Sequence, residues 1–266
     1  MRLLLKIGVI LLGLLPAGLV SADTVVKFFG DSAYPPYAYS EGDEMAGYYT
    51  EIIREADRRL PGYHIDLRPV PWGRGLKLLE TGEIGFLYPP YDRSETRPFM
   101  HYSTSIMKEH LALFCRSGLI ASGNPQFPDD FKGRSIGRLQ SFATGQQFDD
   151  AAAEGLVTLR EYASDSLIFK QLMAGRLDCY VNDRAAIQQS ITDLENAGLY
   201  EGDRIEETLS ISHEEGYIGL TNRKELYPFM DEFISRFNQV IEDMKTDGTI
   251  TRIIQPLKND TAKEQP

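Results

Sequence analysis

Apolar positions along this 266-residue chain keep two periods, and the periods take turns. Short runs such as Val25 to Phe29 and His110 to Cys115 are apolar enough for buried strands. Between such runs, apolar residues recur every three or four positions, as on one face of a helix. Tyr48 to Leu60 carries Ile52, Ile53, Ala56 and Leu60 on such a face, and Pro61-Gly62 ends it. Ile65 to Val70 alternates as a strand, and Pro71-Trp72-Gly73 opens the next helix. Ser135 to Leu139 and Gly216 to Leu220 read as further strands. Ser164 is placed to cap a helix carrying Leu167, Ile168 and Leu172. The stripe Leu226, Phe229, Met230, Phe233, Phe237, Val240, Ile241, Met244 predicts a long core-facing helix that Gly248 ends, with a short helix after it. Gly118 to Phe131 reads as loop, and the tail from Lys258 is polar.

One phrase occurs twice. LKLLETGEIGFLY runs from Leu76 to Tyr88, and FKQLMAGRLDCYV from Phe169 to Val181. Each predicts an amphipathic helix, a left-handed stop at Gly82 or Gly175, and a short apolar strand. Just past the strands stand Asp92 and Arg97 in the first copy, Asp183 in the second. Strands alternating with helices predict mainly parallel sheets, and open α/β sheets bind ligands beyond their strand carboxyl ends. Two such halves predict a cleft between lobes.

The first residues carry a signal of a different kind. Arg2 and Lys6 precede an apolar run to about Leu15, then Val20-Ser21-Ala22. That is the plan of a secretory signal cut after Ala22. The run is shorter than the ~20 apolar residues a spanning helix needs, and no Cys stands at the cut to carry a lipid. Loss of the leader takes the formal charge from −11 to −13. Acidity argues against nucleic acid, which wants a basic face. Cys115 and Cys179 both lie inside apolar runs; an exported chain can bridge them, yet buried free Cys is equally ordinary. The sequence leaves the choice open. No Cys or His cluster has metal-ligand spacing, and no cofactor motif is present.

Taken in order, DSAYPPYAY, PWGRGLKLLETGEI, SETRPFMHYS, FKGRSIGRLQS, MAGRLDCYVND and MKTDGTITRII cover nearly all of the mature chain. The set resembles the periplasmic solute-binding proteins of the polar-amino-acid type, solute-binding protein family 3, which serve ABC importers. The resemblance implies a type II two-lobed α/β fold, each lobe a mainly parallel sheet flanked by helices. The chain starts in lobe 1 (23–107), forms lobe 2 (108–216) and returns (217–266), crossing near Lys108 and near Glu215. The resemblance also implies a monomer with a small polar solute and a membrane permease as its partners, no cofactor and no catalysis.

Carried over residue by residue, Arg97 matches the family's carboxylate clamp, and Asp183 the aspartate that receives an α-ammonium. Asp183 also suits the N-cap of a helix over Arg184 to Thr192. Asp31 and Tyr34 match a side-chain-reading acid and an aromatic lid. Trp72 matches an apolar wall, with Arg74 one step beyond it. The chain departs from the family at two places. Pro89 and Pro90 remove backbone donors where a hydroxyl-rich stretch is usual, and Asp92 replaces a small hydroxyl residue. Ser141-Phe142-Ala143-Thr144 replaces a Gly-Thr-Thr-like loop, so Phe142 and Thr144 join the candidate site, with Arg138 adding positive charge nearby. The departures leave three solute chemistries open: an amino acid or modified amino acid, a cationic amine, a small organic acid. Two other functions use the same fold: a ligand sensor docking on a signalling receptor, and a prephenate- or arogenate-dehydratase-like enzyme. Against the enzyme, Arg-Ala-Ala follows Asp183, and His64, His101, His110 and His213 show no pairing with a nucleophile.

Overall fold

The computed structural model describes residues 23–120, 123–200 and 205–255. The leader expected at 1–22 and the tail from Lys258 lie outside these residues. The chain begins with β1 (Thr24–Asp31), then a small meander of β2 (Ala33–Tyr34), β3 (Ala38–Glu41) and β4 (Glu44–Ala46). Helix α1 (Tyr48–Arg58), β5 (Tyr63–Val70), α2 (Trp72–Thr81), β6 (Phe86–Tyr88) and β7 (Met100–Tyr102) follow. Next come β8 (Met107–Arg116), β9 (Ser135–Leu139), α3 (Gln146–Ala153), β10 (Thr158–Tyr162) and α4 (Asp165–Met173). The order then runs β11 (Cys179–Asp183), α5 (Arg184–Asn196), β12 (Ile205–Gly216), β13 (Gly219–Thr221), α6 (Met230–Thr246) and α7 (Thr249–Ile253).

Two five-stranded sheets result, ordered β5-β1-β6-β13-β7 and β10-β9-β11-β8-β12. Their parallel halves correspond: β1-α1-β5-α2-β6 in one lobe, β9-α3-β10-α4-β11 in the other. The repeated phrase is the last helix and strand of each unit. Gly82 and Gly175 have φ of 79° and 68°, the left-handed stop that glycine adopts without a Cβ penalty. The antiparallel half of each sheet comes from the connections: β13 between β6 and β7, and β8 between β11 and β12. The run expected as one strand from Gly216 to Leu220 is split. Gly216 ends β12 in one sheet, and Gly219 begins β13 in the other.

Helix α6 buries Met230, Phe233, Phe237, Ile241 and Met244, as its stripe predicts. Phe233 and Phe237 each lie 5.7 Å from Phe28 of β1, which stacks on Phe86 of β6 at 4.8 Å. Each buried ring contributes roughly 1.5–3 kcal/mol. Strands β10 and β12 carry no such signal. Of the twelve residues of β12 only Ile205 and Gly216 are fully buried, because it is a sheet edge.

Cys115 of β8 stands directly opposite Cys179 of β11, and the two form a disulfide. It links positions 64 residues apart, so it removes a large loop from the unfolded ensemble. Replacing both cysteines by alanine should lower the unfolding free energy by about 2–4 kcal/mol in urea titrations. A midpoint equal to that of the oxidised parent would show that the bridge does not stabilise lobe 2.

Candidate ligand cleft

The residues that face each other across the seam leave the carboxyl ends of parallel strands. Asp31 ends β1, Trp72 opens α2 after β5, and Pro89 to Arg97 follow β6. Opposite them, Gln140 to Thr144 follow β9, and Ser164-Asp165 follow β10.

The seam is closed by its own side chains. Arg97 Nη2 donates to the Ser141 carbonyl at 2.9 Å, and Trp72 Nε1 donates to the same oxygen at 3.2 Å. The Arg97 guanidinium also lies over the Trp72 ring, 5.7 Å from its centroid. The Phe142 ring meets Tyr34 edge-on at 5.4 Å and Trp72 at 6.1 Å. Ser141 turns this corner with φ of 66°, a conformation that costs a non-glycine residue about 1–2 kcal/mol. Between Asp31, Tyr34, Tyr91, Arg97 and Phe142 a cavity of about 20 Å³ remains, far below the roughly 300–1,000 Å³ of ligand pockets. A crevice of about 310 Å³ lined by Asp31, Arg74 and Asp165 flanks it on one side. A groove of about 740 Å³ lined by Asp92, Arg138 and Thr144 flanks it on the other. Phe142 borders all three spaces.

The family model for bacterial extracellular solute-binding proteins, family 3, matches residues 26–257. The chain belongs to this family. It is 21% identical over 224 residues to the L-cystine-binding protein TcyJ of Escherichia coli (strain K12), covering 83% of this chain and 77% of that protein. An ancestral arginine-binding protein bound to arginine superposes with a TM-score of 0.66 at 20% identity, over 87% of this chain and 97% of that one. A histidine kinase sensor domain with similarity to periplasmic binding proteins gives 0.70 at 16% identity, over 88% and 96%. At such identities the structures establish the fold alone: two α/β lobes of the type II arrangement.

In this family 3 protein the candidate residues do not all converge. Asp31, Tyr34, Trp72, Arg97 and Phe142 line the central cavity. Arg74 is exposed at the rim of the crevice. Asp92 caps its own turn, accepting from the Ser94 backbone at 3.0 Å and hydroxyl at 2.6 Å. Thr144 is buried along the wide groove, and its hydroxyl has no hydrogen-bond partner among the described residues.

Asp183 lies elsewhere. It is wholly buried, caps α5 through the Ala185 and Ala186 amides, and accepts from the His110 amide at 2.8 Å. It also accepts from the Tyr37 hydroxyl across the seam at 2.9 Å. Asp183 borders a separate space of about 550 Å³ beside the crossing strands, not the cavity of Arg97. Burial pushes its pKa up to about 6 against these four donors.

The charges at the central cavity are unbalanced. Burial lowers the Arg97 pKa, and no carboxylate of the described residues pairs with its guanidinium. Asp31 is 2% exposed; burial pushes its pKa up to about 7 and outweighs the bond from the Ala33 amide. Tyr91, Asp165 and Glu109 also lie at or behind the seam and were not among the candidates read from the sequence. A signal for Glu109 exists: it shares the alternating face of Met107, Leu111, Leu113 and Cys115, all buried.

Trp72 is the sole tryptophan and so reports on the seam. Phe142→Ala should move its emission to longer wavelength and increase acrylamide quenching, with the far-UV spectrum kept. Unchanged emission from a folded Phe142→Ala protein would mean that Phe142 does not seal the seam.

Proposed function

We propose that this protein captures an amino acid between its lobes in the periplasm and presents it to an ABC import permease. One observation carries the choice of solute: a half-buried guanidinium, Arg97, with no carboxylate partner among the described residues. A desolvated cation without a counter-charge is costly. A solute carboxylate would answer it through two parallel N–H···O bonds. To enter, the carboxylate displaces the Ser141 carbonyl as Phe142 withdraws. Asp31 is the opposite pole, since it lines the same cavity and has oxygen left to accept an ammonium. Asp183, matched to that role by resemblance, already answers four donors. We therefore assign the ammonium to Asp31. The relative named for L-cystine and the ancestral protein bound to arginine support a zwitterionic solute. No bond is made or broken in this scheme. Export by a leader over residues 1–22 agrees with an extracellular family.

A thermal-shift screen of the L-amino acids, L-cystine, polyamines and small dicarboxylates tests the reading. A solute that binds only the native state raises its melting temperature by mass action. Amino acids should give the hits; shifts from polyamines or dicarboxylates alone would overturn it. With the best amino acid, Arg97→Ala should lose about 2–5 kcal/mol of binding in calorimetry. Wild-type affinity in that variant would remove the clamp.

The pH dependence has a defined sign. An ammonium binds ionised Asp31, and burial holds Asp31 near 7 in the free protein. Affinity should fall about tenfold per unit as pH drops below 7 and level off above it. Asp31→Asn should flatten the profile; a profile unchanged by that substitution would assign the ammonium elsewhere.

A further inference from the structure

Glu109 lies on β8, two residues past Met107, where the chain passes from one sheet to the other. It is wholly buried, yet no Lys, Arg or His of the described residues pairs with it. Three tyrosine hydroxyls donate to it instead. Tyr34 and Tyr91 reach Oε2 at 2.6 and 2.7 Å, and Tyr49 reaches Oε1 at 2.5 Å. The three come from separate parts of lobe 1: β2, the loop after β6, and α1. The other crossing strand makes room for them. A Cβ at Gly216 of β12 would overlap the Tyr49 hydroxyl and come within 3.0 Å of Glu109 Oε1.

A buried carboxyl without a cation is costly, and an apolar side chain in its place is often the more stable choice. Burial, and after it the charge of Asp183, pushes the Glu109 pKa up to about 8. Stability alone does not account for three donors on one acid. Their placement does. Tyr34 and Tyr91 line the central cavity beside Arg97, and the Tyr34 ring carries Phe142. Their hydroxyls are drawn back to Glu109, and the two oxygens lie 3.0 Å apart.

We propose that Glu109 is a positioning residue for solute capture: from the crossing strand it fixes Tyr34 and Tyr91 as the wall against which the seam closes. The assignment rests on the solute-binding reading above. Because Glu109 rides on β8, any rotation at the crossing is transmitted to the wall through two hydroxyls. A wall held by polar contacts behind it is how a binding geometry is kept to a fraction of an ångström.

The test uses Glu109→Gln, Glu109→Ala and Tyr91→Phe in the full mature chain, with far-UV circular dichroism to confirm folding. The protein lacking the Cys115–Cys179 bridge serves as a destabilised control. The first readout needs no solute. Trp72 emission should move to longer wavelength, and acrylamide quenching should rise several-fold, in Glu109→Ala but not in the control. Glu109→Gln, which keeps size and one acceptor, should fall between. The second readout is calorimetric affinity for L-arginine and L-cystine. Glu109→Ala and Tyr91→Phe should each weaken binding about tenfold, and the double variant should be little worse than either. Lowered stability with parental Trp72 quenching in all three Glu109 and Tyr91 variants would make Glu109 structural only and overturn the proposal. If neither amino acid binds the parent, those two solutes fail as probes, and the quenching arm still decides the role of Glu109. Should Glu109→Ala not fold, Glu109→Gln and Tyr91→Phe decide it.

Discussion

The two crossings of this chain are one ribbon, and that constraint governs everything at the seam. Strands β8 and β12 pair antiparallel from Arg116 and Ile205 down to Met107 and Gly216. Two paired strands cannot lengthen independently, so the lobes cannot slide apart. They can rotate about the ribbon, the hinge motion common to periplasmic binding proteins. Two bulges, between Glu207 and Leu209 and between Ser210 and Ser212, lie on β12 within the pairing. Two buried acids brace the lobe 1 end of the ribbon: Glu109 gathers three tyrosines, and Asp183 takes Tyr37 across the seam.

Against that hinge the seam closes on itself. The Ser141 carbonyl takes donors from Arg97 and Trp72, and Phe142 takes the aromatic wall. These contacts occupy the groups to which the proposed function assigns a solute's carboxylate and apolar side chain. Edge-on ring pairs are worth about 0.5–1.5 kcal/mol each, and the strained turn at Ser141 offsets part of that. In the proposed reading a solute competes with a segment of the protein, and only its preference for one arrangement over the other can shift the population.

Much of the architecture was legible because it rests on local signals. Gly82 and Gly175 mark real left-handed stops, the α6 stripe faces the core, and the repeated phrase marks the third strand of each parallel unit. The two edge strands of lobe 2 were not legible: β10 and β12 bury too little to impose a pattern. The Cys pairing depends on the β8–β11 register, which no local signal fixes. The candidate site was legible in part. Asp31, Tyr34, Trp72, Arg97 and Phe142 come together because each follows a parallel strand or sits beside one. Asp183 follows a strand too, but the start of α5 and the ribbon claim its oxygens. Glu109 was hidden because its partners are distant in sequence, 18 to 75 residues away.

In the proposed mechanism, solute enters between the two lobes by displacing the Ser141–Phe142 contact. Spin labels on exposed Glu80 of α2 and Lys170 of α4, replaced by cysteine with the native bridge kept, would report the lobe separation. Without amino acid, pulsed dipolar spectroscopy should show a distribution that includes the self-closed spacing. Saturation with an amino acid shown calorimetrically to bind should leave one narrow population at a spacing wider than the self-closed one. A distribution unchanged at saturation would mean that solute does not displace the contact.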